Sequence, residues 1–445
     1  MPASPMDSTI YSNSFSDPDV APLFSDVAEV AAMAAFEAAL ARAQAAVGVI
    51  PVDAVAPIEE AVASFSADLA AMGASTGTSG VPTISLVAQL RAAIMAAGGN
   101  IVAASAVHKG ATSQDVMDIG LLLRLRDAVG ILSARLDQVI SHLAGLADTH
   151  RRTAMAGRTR SQQAVPVSLG LKAAGWMMPL VRCRDRLAEL KPRLFSVQFG
   201  GAAGTLAALD TDGLKVMEAL AVDLEFTCPP MHWHTQRDSY CEFANWLALI
   251  TSSLGKAGQD VVLLAQSEVA EVRPASSGGS STMPQKSNPV VAEYLVTLAR
   301  HNAGLVGNMH QAAIQEHERG GPGWQLEWLT LPQMVISTAA ALRHADVLFA
   351  DVIVDVARMT KTLDDALGLM LAEAASFALA HHLPAADAKS LVTKACLTAL
   401  GEGRQLIDVL KERTDVPVDW AALADPANYL GVADQFIDRA LKAAE

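Results

Sequence analysis

The chain has 445 residues, of which 51% are hydrophobic and 18% charged, and its net charge is −14. Such a composition folds with ample core and excludes a disordered chain. The acidic balance argues against a general nucleic-acid or membrane-surface binder. It leaves room for an anionic small molecule, because a local cluster of Arg and Lys can oppose the global sign. The four cysteines (Cys183, Cys228, Cys241, Cys396) form no CxxC pair and no metal-ligand spacing, so reduced core thiols are expected. No basic region followed by an apolar run opens the chain, and no uninterrupted apolar stretch reaches about 18 residues. A soluble, cytoplasmic protein is expected, with no membrane and no nucleic-acid partner.

In chain order, residues 1–107 read as short helices broken by GVIPVDAVAP (48–57) and GASTGTSGVP (73–82). HKGATSQD (108–115) follows, and its Thr112 and Asp115 have capping-box spacing, which predicts a helix start. From Leu125 an apolar stripe runs through Val129, Leu132, Leu136, Val139 and Leu143 to Leu146. A second runs from Phe243 to Leu264 and a third from Val291 to Ala312. All step by alternating fours and threes, the seam of long helices packed at shallow angles. No proline lies between Pro230 and Pro274, which leaves room for a helix of about forty residues. Strand signals are weak throughout. After about residue 350 the pattern returns to short helices, with breaks at 381–387, 414–419 and 424–431. The reading is an all-α protein in three regions: an N-terminal helical domain (1–107), a central long-helix bundle (108–350) and a C-terminal helical domain (351–445).

Polar, Gly-containing segments interrupt this apolar background: HKGATSQD (108–115), GRTRSQQ (157–163), HTQRD (234–238), SSGGSSTMPQKSNP (276–289) and QEHERGGPG (315–323). Each is expected at or near the end of a long helix, where backbone N–H groups and the helix dipole bind anions. Thr112, Ser113, Lys286 and Arg319 then read as carboxylate holders, or equally as parts of capped turns; Thr112 also fits a pure helix cap. The 276–289 segment differs, because a turn needs neither five serines nor a buried Met-Pro-Gln-Lys. Glu316-His317-Glu318 reads as a helix-end ion pair rather than a metal site, and no metal site is expected. Trp324 and Trp328 fit a pocket lining or core packing equally.

The run Gly279-Ser280-Ser281-Thr282-Met283-Pro284-Gln285-Lys286-Ser287-Asn288-Pro289 resembles the signature loop of the fumarase/aspartase superfamily, of the form GSSxMPxKxN. HKGATSQD and GRTRSQQAVP resemble two further regions of that superfamily, in its order. The resemblance spans roughly residues 10–440. It implies a homotetramer whose helices form a multi-helix core and whose active sites collect segments from three subunits. It implies cleavage or formation of a C–N or C–O bond next to a carboxylate, without a cofactor. By resemblance Ser280 is the general base, and Lys286 and Asn288 hold the aci-carboxylate as its charge doubles. A serine hydroxyl needs nearby N–H groups and cations to lower its pKa for that task.

Common lyases of the superfamily carry GxTH in the second region; here the run is Gly157-Arg158-Thr159-Arg160. Arginine cannot trade protons near neutral pH, but it pairs bidentately with oxyanions. GRTRSQQAVPVSLGLKAAGW (157–176), FGGAAGTLAAL (199–209) and WHTQRD (233–238) resemble instead the bacterial cycloisomerase branch. That branch adds a carboxylate of 3-carboxy-cis,cis-muconate to a C=C bond within the same molecule. Its leaving group in reverse is a carboxylate, so no acid for an amine is required. Arg160 departs from this branch too, where an aromatic residue is more usual, and leaves a carboxylate or a sulfonate open as the third anionic group. The substrate contacts implied are His108, Thr112, Ser113, Arg160, Gln236, Ser281, Met283 and Arg319, with Arg237 a further candidate and Glu293 placed to orient the loop or His108. The other histidines read as structural. A C–N lyase releasing fumarate and a non-catalytic structural homologue are the alternatives.

Overall fold

The computed structural model describes residues 4–275, 278–279, 282–283 and 285–445. Among them helices dominate, as expected. The long ones are α1 (Asp26–Val47), α2 (Ser113–Thr149), α3 (Leu169–Leu194), α4 (Asp238–Leu264), α5 (Val290–Ala312) and α6 (Pro322–Ala350). The stripes read from the sequence are the buried faces: Leu125, Leu132, Leu136, Phe243, Leu247, Leu254 and Leu295 have no exposed surface. The third stripe also carries Asn302, whose amide donates to the Met334 carbonyl and the Thr338 hydroxyl.

Two compact units emerge from the contacts. The first comprises Met1–Ala134, Cys183–Thr251 and Leu298–Ala341; the second comprises Arg135–Arg182, Ser252–Thr297 and Leu342–Glu445. In the first, α1 begins at Ser25, whose hydroxyl accepts from the Ala28 N–H, and ends at Gly48 in the left-handed region. Arg42 ties α1 to the helix Gly213–Leu224 through a two-pronged bond to Asp223 (2.7 and 2.6 Å) and to Glu59 (2.8 Å). By length and composition α1 could cross a membrane, yet most of it is buried within its unit. Its buried Glu37 and Gln44 hold the segment that precedes α2.

The second unit departs from an all-α reading. Residues 154–168 form a hairpin, β1 (Ala154–Thr159) with β2 (Gln162–Ser168), turning at Arg160 and Ser161. GRTRSQQ is therefore a hairpin tip and not a helix end. Both turn residues have positive φ (50° and 63°), the backbone of a two-residue type I′ loop. The sequence hides this turn because it carries neither Asn nor Gly. Pro166 is tolerated because the ribbon has only two strands and each is an edge. Shorter pairs join β3 (Val272–Arg273) to β6 (Ile353–Val354) and β4 (Gly278–Gly279) to β5 (Ser287–Asn288). The C-terminal helices pack around Leu379, Val392, Leu406 and Leu410.

Helix α4 has 27 residues, fewer than the proline-free window allows. Ahead of its start, Trp233 and His234 are held by Gln198 and Asp115; at its end, Ala270 turns the chain with φ 52° and the Glu271 N–H closes onto Leu264. Cys183 and Cys241 are buried as expected, but Cys228 is exposed.

Candidate active site

In the first unit the polar segments converge on one carboxylate. Asp115, in the first turn of α2, has no exposed side-chain surface. Its Oδ1 accepts from the Gly200 N–H (3.0 Å) and from His234 Nε2 (2.7 Å). Its Oδ2 accepts from the Thr112 and Gly201 N–H groups (both 3.0 Å). The Thr112 bond is the reach-back half of the capping box; the other three fasten FGGAAGT and WHTQRD to the start of α2. Four hydrogen bonds occupy the acceptor positions of this buried carboxylate. Glycine is required around it: a side chain at Gly200 would meet the His234 ring, and one at Gly204, where φ is +83°, would collide with the His232 ring. The two imidazoles lie 5.0 Å apart between centroids. Burial lowers the His232 pKa, His234 lowers it further, and Asp115 opposes both.

Arg319 docks onto this framework. Its Nη1 donates to the Thr112 hydroxyl (2.5 Å) and to the Ala202 carbonyl (3.3 Å), and its Nε donates to Gln114 Oε1 (3.3 Å). Gln114 in turn donates to the His234 carbonyl (2.9 Å). The Thr112 hydroxyl therefore serves Arg319 and does not cap α2. Ser113 is the first residue of α2 and half-buried. Gln236 is exposed and its amide donates to the His232 carbonyl (3.2 Å). His108 sits at φ 64°, with its N–H on Glu37 Oε2 (2.8 Å) and its Nδ1 against Glu37 Oε1 (2.7 Å). Glu37 orients His108. If Nδ1 carries the proton, the carboxylate fixes the tautomer that leaves Nε2 as an acceptor.

Arg237, a candidate substrate contact from the sequence, belongs to the core. It is fully buried, with Nε and Nη2 on Glu327 (2.8 and 2.5 Å) and Nη1 and Nη2 on Asp118 (2.8 and 3.0 Å). Its cation lies over the Trp233 and Tyr240 rings, 5.0 and 4.7 Å from their centroids. Burial alone would lower its pKa, but the carboxylates of Asp118 and Glu327 outweigh that and hold it well above the ordinary value. A fully buried guanidinium, with four of its five N–H groups on two buried carboxylates, holds the core. Trp324 Nε1 donates to Asp118 (3.2 Å), which makes Trp324 core, while Trp328 stacks edge-on against it and is half-buried. Glu316, His317 and Glu318 are exposed in the turn between α5 and α6, and no ion pair joins them among the described residues.

In the second unit the described residues of the signature segment are exposed or half-buried. Gly278–Gly279 pairs with Ser287–Asn288, the Lys286 N–H donates to the Met283 carbonyl (3.0 Å), and Asn288 is half-buried. Lys286 and Met283 are exposed, against the buried Met expected. Ser280 and Ser281 lie outside the described residues. Arg160 is exposed at the hairpin tip, and Glu293 is exposed in the first turn of α5.

Residues 18–304 match the lyase family, and residues 368–440 match the adenylosuccinate lyase C-terminus. The chain belongs to the lyase family. It is 45% identical over 427 residues to a 3-carboxy-cis,cis-muconate cycloisomerase of Pseudomonas aeruginosa, covering 94% of this chain and 93% of that one. A second such protein, of Bradyrhizobium diazoefficiens, is 43% identical over 445 residues, covering 96% and 98%. The crystal structure of a 3-carboxy-cis,cis-muconate lactonizing enzyme from Pseudomonas putida superposes with a TM-score of 0.92 at 41% identity, covering 98% of this chain and 99% of that one.

Sequence reasoning about this lyase missed Asp115 as the organising carboxylate, together with His234, Gln114 and Glu37. The sequence marks Asp115 only as a cap. The pairing of His234 with it spans 119 positions, so no local spacing could reveal it. Buried Glu37 in an Ala-rich helix was the available signal, since an isolated buried carboxylate demands a partner.

Proposed function

We propose that this lyase-family chain is a cofactor-independent cycloisomerase that interconverts 3-carboxy-cis,cis-muconate, or its 3-sulfo analogue, and the corresponding muconolactone. The observation that carries the reading is near full-length likeness to cycloisomerases at 41–45% identity. Arginine in place of the lyase histidine at position 160 accords with it. In the ring-opening direction Ser280 Oγ takes the proton alpha to a carboxylate. The C–H electron pair moves into that carboxylate as an aci-carboxylate held by Lys286 and Asn288. It then returns to form the C=C bond as the ring C–O bond breaks and the second carboxylate leaves. Lactonisation is the reverse: the tethered carboxylate attacks, which needs orientation rather than a second reactant. Arg319 receives one carboxylate beside Thr112, Ser113, His108 and Gln236. Support for Arg319 in this role is that its Nη2 has no hydrogen-bond partner among the described residues. Arg160 receives the third anionic group, with Ser281 and Met283 as further contacts.

The same reading keeps the three regions 1–107, 108–350 and 351–445, and assembles the chain as a homotetramer with sites shared between subunits. What supports assembly is apolar surface on the long helices. Leu249 and Leu263, four turns apart on α4, are 44% and 47% exposed; Leu329 and Val347, five turns apart on α6, are 68% and 49% exposed. The match of residues 368–440 to the adenylosuccinate lyase C-terminus favours a C–N lyase as the second reading. Proton NMR of the product formed from 3-carboxy-cis,cis-muconate tests the proposal. A new methylene beside a carboxylate, in place of the conjugated-diene pattern, is expected; unchanged diene protons under conditions where the protein is folded overturn it.

A further inference from the structure

The second unit contains an ion pair that the reaction described above does not use. Arg158 lies on β1 just past Gly157, where the strand register shifts between Ala156 and Arg158. A side chain at Gly157 would collide with the Val165 carbonyl, so the bulge requires glycine. Beyond it the Arg158 guanidinium forks onto Glu271, with Nη1–Oε2 2.9 Å and Nη2–Oε1 2.8 Å, while Nη1 also donates to the Ala156 carbonyl (3.2 Å). The Glu271 side chain has no exposed surface. Its backbone is fixed as well: its N–H donates to Leu264 and its carbonyl accepts from Asp355. The next two residues are β3, which leads into the 276–289 segment.

A buried ion pair is seldom more stable than apolar side chains of the same volume. What a two-pronged guanidinium–carboxylate bond supplies is direction, because both partners are planar and held at two points. Two residues beyond Arg158 stands Arg160, on a turn whose positive φ values L residues adopt only under constraint. We propose that Arg158 and Glu271 are a positioning pair: the buried fork fixes the hairpin so that Arg160 meets the third anionic group of the substrate at a set place. This rests on the reading of Arg160 as a substrate contact.

The test is a double-mutant comparison. Arg158→Met alone leaves Glu271 buried without its partner and invites misfolding, so the variant of choice is Arg158→Met with Glu271→Met. In the native background this double variant raises KM for 3-carboxy-cis,cis-muconate on the order of tenfold, with kcat changed less. In an Arg160→Ala background it changes KM less than about twofold. Equal KM increases in the two backgrounds overturn the positioning role while leaving Arg160 a substrate contact. An Arg160→Ala variant with native KM removes both. Hydrogen exchange of the 154–168 amides, read without substrate, checks the fork independently of turnover. Faster exchange in the double variant is expected, and unchanged exchange contradicts it.

Discussion

Around Asp115, four N–H donors from three separate segments meet one carboxylate that has no exposed surface. Along the signature segment, the described residues are joined by a two-residue strand pair and one turn, and Met283, Lys286 and Ser287 are exposed. The first region fixes groups that read as binding a carboxylate; the second carries those that read as moving the proton. Preorganised donors need rigid support, since their value lies in not having to reorganise during reaction. Substitutions in the two regions should therefore separate stability from turnover.

The largest effect is expected from Asp115→Asn. Replacing a four-fold acceptor by an amide turns one Oδ into an N–H donor facing donors, at a cost of about 3 kcal/mol. Urea unfolding measures it, and a loss of activity without loss of stability would break the comparison. Next, Ser280→Ala lowers kcat by about a hundredfold or more while leaving the unfolding curve and the assembly unchanged. Near-native turnover in that variant removes Ser280 as the base. Arg319→Lys keeps a charge but not the fork that spans Thr112 and Gln114, and KM rises roughly tenfold. A KM within error of native places Arg319 outside the site.

How much of this was legible in the sequence follows from the range of each interaction. The stripes around Leu132, Leu254 and Leu295 predict buried helix faces because helical periodicity is local. The Thr112–Asp115 spacing gives the start of α2 for the same reason. The hairpin at 154–168 escapes notice because Arg160-Ser161 is an uncommon filling for a type I′ turn and is stabilised from outside the hairpin, by the Arg158–Glu271 fork across 113 positions. Arg237 shows the limit in the other direction. Its place in a polar segment reads as functional, and only the partners Asp118 and Glu327, 119 and 90 positions away, reveal a core residue.

Two smaller effects sharpen the comparison further. Burial lowers the pKa values of His150, His232 and His301, with His234 adding to the shift of His232. In the unfolded chain they titrate near about 6.5, so stability is full above that pH. It declines as pH falls, because the unfolded chain takes up protons that the folded chain resists. Thermal unfolding between pH 5 and pH 8 reads this, and His232→Gln flattens the acid side. A steeper acid side in that variant contradicts the assignment. Smallest of all, Arg160→Trp alters the ratio of kcat/KM for 3-carboxy- over 3-sulfomuconate by a few-fold, on the order of 1 kcal/mol or less. An unchanged ratio means that Arg160 does not select the third group.

The central claim is the reaction itself, and an ultraviolet assay over a small substrate panel tests it most directly. The purified protein would be given muconate, 3-carboxymuconate, 3-sulfomuconate and adenylosuccinate in parallel. Loss of the conjugated-diene absorbance, fastest with a 3-substituted muconate and without fumarate from adenylosuccinate, is the predicted result. A stable diene with all three muconates, together with fumarate released from adenylosuccinate, would contradict it and return the chain to the C–N lyases.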